Sequence, residues 1–88
     1  MVSRYIITNI VPNDCELKDV HKRWIGCTCE MVELERNIPM QLANWEYKDW
    51  PFPNILRTSN VTDIVLKENG DLIVHTRNTV YHLQLVVE

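Results

Sequence analysis

The chain has 88 residues, a hydrophobic fraction of 45%, a charged fraction of 24% and a formal net charge of −3. These values argue against disorder and predict one small globular domain that spans residues 1–88. The acidic balance argues against a protein that binds the phosphates of a nucleic acid, because that task needs a basic surface.

The cysteines and the lack of a targeting pattern indicate the compartment. Cys15, Cys27 and Cys29 are an odd number of cysteines without a secretion signal, so we expect reduced thiols in a cytoplasmic protein. No apolar run approaches the roughly 18 residues that a membrane-spanning helix needs.

The first third of the chain predicts a strand, a short helix or turn, and a second strand. Residues 4–11, "RYIITNIV", are β-branched and aromatic, which is typical of a strand. Residues 14–21 follow a capping residue and predict a turn or so of helix. Alternation over residues 24–34 predicts a strand, in which Gly26 marks a bulge or a close backbone approach.

The middle of the chain contains an ambiguous strand and a proline-rich segment. In residues 37–47, "NIPMQLANWEY", the alternation from Met40 to Trp45 predicts a strand that ends near Tyr47. Residues 48–54, "KDWPFPN", are predicted to lack regular structure, because Pro51 and Pro53 each restrict the residue before them.

The last third predicts three strands joined by two tight turns. The triplet "ENG" at residues 68–70 suits a hairpin loop in which Gly70 takes a left-handed conformation. Either "RN" or "NT", within residues 77–79, makes the second turn. The pattern fixes the registers, because a slip of one residue would turn every side chain to the other face.

With "NT" as the second turn, the predicted cross-strand pairs are Leu66–Leu72, Ile64–Val74, Thr62–Thr76, Val74–Leu83, Leu72–Leu85 and Thr76–Tyr81. Both hairpins then place the same large apolar side chains on one face. The predicted core face consists of Ile64, Leu66, Leu72, Val74, Tyr81, Leu83 and Leu85.

These elements predict an all-β protein. A sheet of this size must curl to bury one face, so we expect a small SH3-like antiparallel barrel of roughly five or six strands with a C-terminal three-stranded meander. The tail "RTSNVTDI…GDLIVHTRNTVYHL" resembles the ending of small uncharacterised SH3-like barrel proteins of bacteria and their phages. In those proteins "TS" precedes a strand and a "TRNTVY" hairpin closes the barrel. The resemblance implies the fold and transfers no functional residue.

The same registers place Asp63, His75 and His82 in one row on the face opposite the core, where opposed Cβ atoms lie about 5 Å apart. Three interpretations stay open for this row: a solvated aspartate–histidine pair of little energetic weight, a Zn²⁺ or other divalent metal site, and a pH-sensitive interface. Thr62 and Thr76 are predicted to face the core, so no nucleophile stands beside the row.

The sequence "CTC" at residues 27–29 points two thiols the same way, and Cys15 and His21 could complete a zinc site with them. A structural zinc site normally shows two spaced cysteine pairs. We therefore interpret the two thiols and Met31 as core residues, since free cysteine is among the most buried residue types.

Residues 44–54, "NWEYKDWPFPN", form the densest aromatic stretch. Large rings on a proline-stiffened loop either cap the open end of a barrel or anchor a protein partner at low entropic cost. Our first hypothesis is a cytoplasmic interaction module that binds a protein partner through Trp50 and Phe52, with Tyr47 and Asp49 beside them. The sequence shows neither a nucleophile–base pair nor a phosphate-binding loop, so we expect no enzymatic activity.

Three alternatives compete with this hypothesis. A metal-binding protein would use Asp63, His75 and His82 to hold Zn²⁺. Nucleic-acid binding through residues 22–24, "KRW", would combine charge with stacking, but the acidic net charge argues against it. A homodimer would form if the strand over residues 80–87 lay at a sheet edge and paired with a second copy.

Overall fold

The computed structural model describes residues 3–13, 16, 19–49 and 52–86, which form six strands and one short helix. In chain order the elements are β1 (Arg4–Pro12), α1 (Asp19–Lys22), β2 (Thr28–Glu33), β3 (Pro39–Asp49), β4 (Phe52–Leu66), β5 (Leu72–Thr76) and β6 (Thr79–Leu85). The predicted all-β class is confirmed. No helix in the described part of the chain is long and apolar enough to cross a membrane.

The strands form a closed antiparallel barrel in the order β1-β2-β3-β4-β5-β6, with β6 paired back to β1. At this closing seam Ile7 lies opposite Leu83 and Ile10 lies opposite Tyr81. All four side chains are buried. Closure lets each strand bury one face and pair on both sides. The predicted small barrel is confirmed, and its architecture is consistent with the SH3-like type.

β6 is paired on both sides, with β5 and with β1. The prediction that the strand beginning at Val80 lies at a sheet edge, and pairs there with a second copy, is therefore wrong. The covering strand is distant in sequence: the Thr8 hydroxyl donates to the His82 carbonyl across 74 positions. A pattern local to the tail cannot reveal such a partner.

The second strand begins later than predicted, because Trp24 and Gly26 lie in turns that follow α1. Gly26 has a φ of 89°, and a Cβ atom placed on it would meet no atom within 4 Å. The Ile7 N–H donates to the Cys27 carbonyl, so Gly26 and Cys27 together lie opposite the single residue Ile7. The predicted bulge is confirmed, with its left-handed residue, and no close backbone approach, at Gly26. The Gly26 N–H donates to the Ile7 carbonyl, which ties this turn to β1.

Regular structure extends into the proline-rich segment, where we predicted none. Residues 48–49 belong to β3 and residues 52–54 belong to β4, while residues 50–51 lie outside the described residues. Proline pushes the preceding residue toward extended backbone, which a strand also uses, so Pro53 is compatible with the start of β4. β4 then continues through residues 55–60, which the sequence left unassigned, and is 15 residues long.

The β4–β5 hairpin has the predicted register at its turn. Leu66 pairs with Leu72 and Ile64 pairs with Val74, and Gly70 has a φ of 92°. The adjoining Asp71 carboxylate accepts the backbone N–H of Leu85 at 2.9 Å and the Asn69 side-chain amide at 3.0 Å. The turn is thereby attached to β6 as well as to its own strands.

An irregularity in β4 makes one predicted pair wrong. The register shifts between Val61 and Asp63, so that Val61 lies opposite Thr76 in place of Thr62. Thr76 is buried as predicted, whereas Thr62 is exposed. A bulge of this kind turns one side chain to the other face of the sheet. The amino-acid sequence of the strand gives no sign of it.

The barrel interior contains most of the predicted core face. Its buried members are Leu72, Val74, Tyr81 and Leu83, and its partly buried members are Ile64 and Leu85. The prediction for Leu66 is wrong, because this last residue of β4 lies at the hairpin end and is 70% exposed. The other strands complete the interior with residues that include Ile7, Ile10, Met40, Leu42 and Val61.

Gly70→Ala is expected to destabilise the barrel more than Gly26→Ala. Both changes put a side chain on left-handed backbone, which costs about 1–2 kcal/mol. At Gly70 the added Cβ would also lie 2.5 Å from the Cδ2 atom of Leu85. Leu85 would have to leave its rotamer, so denaturant unfolding should show a further loss of about 0.5–1.5 kcal/mol.

The double variant Gly70→Ala/Leu85→Ala separates the cost of the left-handed backbone from the cost of the steric contact with Leu85. Against the single variant Leu85→Ala, adding Gly70→Ala should cost no more than Gly26→Ala costs in the wild-type chain. Equal losses for the two glycine variants in the wild-type background would contradict the role given to the Leu85 contact.

Candidate functional site

A two-residue turn, Arg77 and Asn78, joins β5 to β6. The Thr76 hydroxyl donates to the Thr79 carbonyl at 2.7 Å and accepts the Thr79 N–H at 3.1 Å. The Asn13 side chain donates to the carbonyls of Thr76 and Arg77 at 3.3 and 3.2 Å. These bonds make "RN" the turn, which was one of the two predicted choices.

This turn shifts β6 by two residues from the register that the "NT" turn predicted. His75 lies opposite Val80, and His82 lies opposite Ile73, so the predicted pairs between β5 and β6 are wrong. A shift of two keeps each side chain on its predicted face, because strand side chains alternate with period two. The two imidazoles become diagonal neighbours, for which the usual separation is about 7–8 Å.

Asp63 lies opposite His75 as predicted, but its carboxylate has other partners. The Oδ1 atom accepts from Nη2 of Arg36 at 3.0 Å and from the backbone N–H of Ile64 at 2.9 Å. The predicted single row of Asp63, His75 and His82 therefore does not form. Among the residues that the structure describes, no group of three or more His, Cys, Asp or Glu could hold a metal ion.

Cys27 and Cys29 form no disulfide, and both side chains are buried in the hydrophobic core. Met31 packs against the same cluster, and the Cys27 thiol donates to the Arg23 carbonyl at 3.2 Å. The interpretation of these side chains as core residues is confirmed. Cys15, the third cysteine, lies outside the described residues.

Among the described residues, Tyr81 is the titratable group whose pKa the barrel clearly shifts. Its side chain is 2% exposed, and burial raises the pKa of its hydroxyl above the ordinary value of 10.0. A hydrogen bond with the Thr79 side chain opposes this rise. The ring is enclosed in the core between β5 and β1, so the perturbed pKa reflects packing and does not mark an accessible reactive group.

The basic stretch begins at Lys22, the last residue of α1, and continues through Arg23 and Trp24. Arg23 is exposed, but Trp24 is partly buried and packs against the core cluster. A ring held against the core presents little of its face for stacking on a base. The surroundings of Trp24 therefore do not favour nucleic-acid binding.

The end of the β3–β4 hairpin carries the aromatic stretch. We call residues 45–54 the hairpin arm. β3 and β4 pair from Pro39–Asn60 to Asp49–Phe52, whereas β2 pairs with β3 at residues 41–43 and β5 pairs with β4 from Val61 onward. The described residues of the arm, 45–49 and 52–54, extend beyond these ladders, and within them the register shifts: Asn44 lies opposite Asn54 and Asp49 lies opposite Phe52, so residues 45–48 of β3 face the single residue 53 of β4.

The predicted partner-binding residues Tyr47, Asp49, Trp50 and Phe52 all belong to the hairpin arm. The backbone of Tyr47 and Asp49 lies in β3 and that of Phe52 lies in β4. Trp50 and the side chains of the other three lie outside the described residues. Whether Trp50 and Phe52 cap the core or face solvent stays a prediction.

The outward side of β1, β5, β6 and the end of β4 forms a surface that the sequence analysis missed. One row across these strands runs Val65–Ile73–His82–Asn9, and the next runs Asp63–His75–Val80–Val11. Val65 and Val11 are 40% and 41% exposed. The missed signal was the absence of Asp, Glu, Lys and Arg from "LIVHT" and "TVYHLQL". We call this surface, without the corner residue Asp63, the uncharged face.

Comparison of the chain with protein-family models, curated proteins and solved structures finds no match. The resemblance of the tail to SH3-like barrel proteins of bacteria and phages therefore stays a prediction.

Tyr81→Phe is expected to reduce the loss of stability at alkaline pH. Because burial raises the pKa of Tyr81 in the folded state, the unfolded chain loses this proton at a lower pH than the folded chain. The contribution of the protonated Tyr81 hydroxyl to the free energy of unfolding is therefore complete below the ordinary pKa of 10.0. It is lost as the pH rises toward the pKa of the folded state. The slope is at most about 1.4 kcal/mol per pH unit.

Denaturant unfolding of both proteins between about pH 8 and about pH 11 measures this slope. The other titratable groups are common to both proteins, so their contributions cancel in the difference. Parallel stability profiles above about pH 10 would contradict the raised pKa of Tyr81.

Proposed function

We propose that the protein is a cytoplasmic, non-catalytic interaction module that binds a protein partner through the hairpin arm. Trp50 and Phe52 are the anchors, and Tyr47 and Asp49 contact the partner beside them. The observation that supports this proposal is the geometry of the β3–β4 hairpin, whose strands extend past the ladders with β2 and β5 and, beyond a register irregularity, pair again at Asp49 and Phe52.

The base of this hairpin is held firmly by the core. Met40, Leu42 and Leu56 are buried, and the backbone N–H of Met40 donates to the Thr58 hydroxyl at 3.0 Å. The barrel therefore fixes the point from which the arm extends. Holding this point in place reduces the conformational entropy that the arm would otherwise lose when a partner binds.

The composition of the arm suits a binding surface. Tryptophan and phenylalanine side chains bury large areas and have few rotatable bonds, so they lose little conformational entropy on binding. Tryptophan is also enriched among the residues that contribute most to binding energy at interfaces. Pro51 and Pro53 limit the backbone freedom around Phe52. A short arm with these residues at its end loses little further entropy when a partner orders it.

The charge of the chain indicates the kind of partner. Glu46 and Asp49 stand in the arm beside Lys48, and the chain as a whole has a net charge of −3. A partner with a basic surface would be attracted at long range, and this attraction weakens as salt is added. We therefore propose a basic protein surface as the binding partner.

The test is capture of a partner by the wild-type protein and by the double variant Trp50→Ala/Phe52→Ala. The matched control is Ile25→Ala/Val32→Ala, which removes two exposed apolar side chains outside the arm. Each variant is first shown to be folded by near-ultraviolet circular dichroism. A captured protein is then purified, and its dissociation constant is measured for all three baits.

The proposal expects the arm variant to bind at least about 30-fold more weakly, since truncating one central aromatic anchor typically costs about 2 kcal/mol or more. The control should bind like the wild type. Equal binding by all three baits would move the interface elsewhere. Unfolding of the arm variant would show that these rings belong to the core, and the interaction proposal would lose its anchors.

A further inference from the structure

The β4–β5 turn contains an asparagine that is directly followed by a glycine. Asn69–Gly70 is the one such pair in the sequence, since the other glycine, Gly26, follows Ile25. The backbone nitrogen of the residue after an asparagine can attack the side-chain carbonyl carbon, and glycine hinders this attack least because it lacks a Cβ atom. Asn69 is exposed, so water reaches the site. The pair therefore has the chemistry for covalent modification without an enzyme.

The reaction is deamidation, and water is its co-reactant. The Gly70 nitrogen forms a bond with Cγ of Asn69, the bond from Cγ to Nδ2 breaks, and ammonia leaves with the proton that Gly70 loses. Water then opens the cyclic imide. Attack on Cγ restores the normal backbone with an aspartate, whereas attack on the backbone carbonyl carbon gives isoaspartate, whose main chain runs through Cγ. In both products a carboxylate replaces a neutral amide.

The folded turn has a conformation that its hydrogen bonds define. The Gly70 N–H donates to the Lys67 carbonyl at 3.0 Å, and the Lys67 N–H donates to the Asp71 carbonyl at 2.8 Å. Gly70 has a φ of 92°, and Asn69 does not have a positive φ. These features are those of a type I turn followed by a left-handed glycine, in which Asn69 takes a ψ of about 0°.

This backbone angle keeps the imide ring from closing. At a ψ of about 0° the Gly70 nitrogen eclipses the backbone nitrogen of Asn69 and lies away from its Cβ atom. A five-membered imide ring needs the Gly70 nitrogen on the side of Cβ. The peptide between the two residues must therefore rotate, which breaks the hydrogen bond from Gly70 to Lys67. Modification thus requires the turn to open first.

Asp71 holds both polar atoms of the Asn69 side chain. Oδ1 of Asn69 accepts the backbone N–H of Asp71 at 3.0 Å, and Nδ2 of Asn69 donates to Oδ2 of Asp71 at 3.0 Å. Oδ1 of the same carboxylate accepts the backbone N–H of Leu85 at 2.9 Å. One carboxylate thus connects the asparagine to β6.

We infer that Asn69 is a deamidation site that the closed turn protects, and that its conversion to aspartate or isoaspartate loosens the turn from β6. The new carboxylate has no N–H to donate to Asp71, and it places a second negative charge beside Oδ2 of that residue. Isoaspartate also adds a carbon atom to the main chain of the loop, which no longer matches a three-residue hairpin loop.

Peptide mapping by mass spectrometry tests the protection on the wild-type protein, incubated at mildly alkaline pH either folded or in guanidinium chloride. Cleavage after lysine and arginine releases residues 68–77, in which Asn69 is the one asparagine, and residues 78–88, which contain Asn78. Asn78 precedes Thr79, whose branched side chain hinders the attack, so the second peptide is the matched internal control. Deamidation is measured as a mass gain of about 1 Da.

In the unfolded chain, residues 68–77 should gain this mass faster than residues 78–88. In the folded protein the gain at residues 68–77 should be at least about tenfold slower, because ring closure requires an opening of the turn that costs free energy. Equal rates for the folded and the unfolded chain would overturn the inference. Equal modification of both peptides in the unfolded chain would overturn it as well.

The consequence for β6 is tested with two full-length variants that each replace an exposed asparagine by aspartate. Asn69→Asp reproduces one product of the reaction. Asn78→Asp is the matched control, because Asn78 is exposed in the other turn and forms its hydrogen bonds through its backbone.

Denaturant unfolding should show that Asn69→Asp lowers the equilibrium constant of folding at least about fivefold, because the hydrogen bond to the Asp71 carboxylate is lost. Hydrogen exchange at the Leu85 amide should speed up by at least the same factor. The control should match the wild type in both measurements. Wild-type behaviour of Asn69→Asp, or an equal loss in both variants, would overturn the claim that modification loosens the turn from β6.

Discussion

The pairing of β1 with β6 is the constraint on which the rest of the structure depends. It joins the first and last strands of the barrel, and it encloses the rings and branched side chains that each strand turns inward. Asn13 extends the seam beyond β1, where its backbone N–H donates to the Asn78 carbonyl. Without this pairing, two strands would keep unpaired backbone groups and the inward faces would meet water. The barrel is therefore expected to unfold as one cooperative unit.

The turn at Arg77 and Asn78 shows how a small local choice changes a surface and leaves the core intact. A two-residue shift moves no side chain from one face to the other, so burial in β5 and β6 is the same for either turn. Cross-strand neighbours do change, and His82 meets Ile73 in place of His75. The shift replaces a row of titratable groups by a mostly apolar surface. Which side chains become neighbours on the surface thus depends on the residues of the turn, and the hydrophobic pattern does not predict that turn.

Sequence reasoning succeeds here where the determining contacts are local. The β4–β5 turn, the alternation of β5 and β6, and the buried thiols at residues 27 and 29 all follow from neighbours within a few positions. It fails at the covering of β6 by β1, which a distant segment decides, and at local features that the hydrophobic alternation does not encode: the bulge near Thr62, the two-residue turn between β5 and β6, and the exposure of Leu66 at a hairpin end. For the candidate surfaces, composition locates the aromatic arm, whereas the uncharged face emerges only when strands far apart in sequence become neighbours.

The closing seam also has a consequence for synthesis on the ribosome. Thr8 and His82, which meet across this seam, are 74 positions apart. At roughly 5–20 residues per second, β1 waits about 4–15 s for its second partner strand to be translated. During that delay Ile7 and Ile10 lack the strand that covers them in the finished barrel. Nascent chains are thus exposed to aggregation at their own N-terminal strand, and a binding chaperone would find its target there.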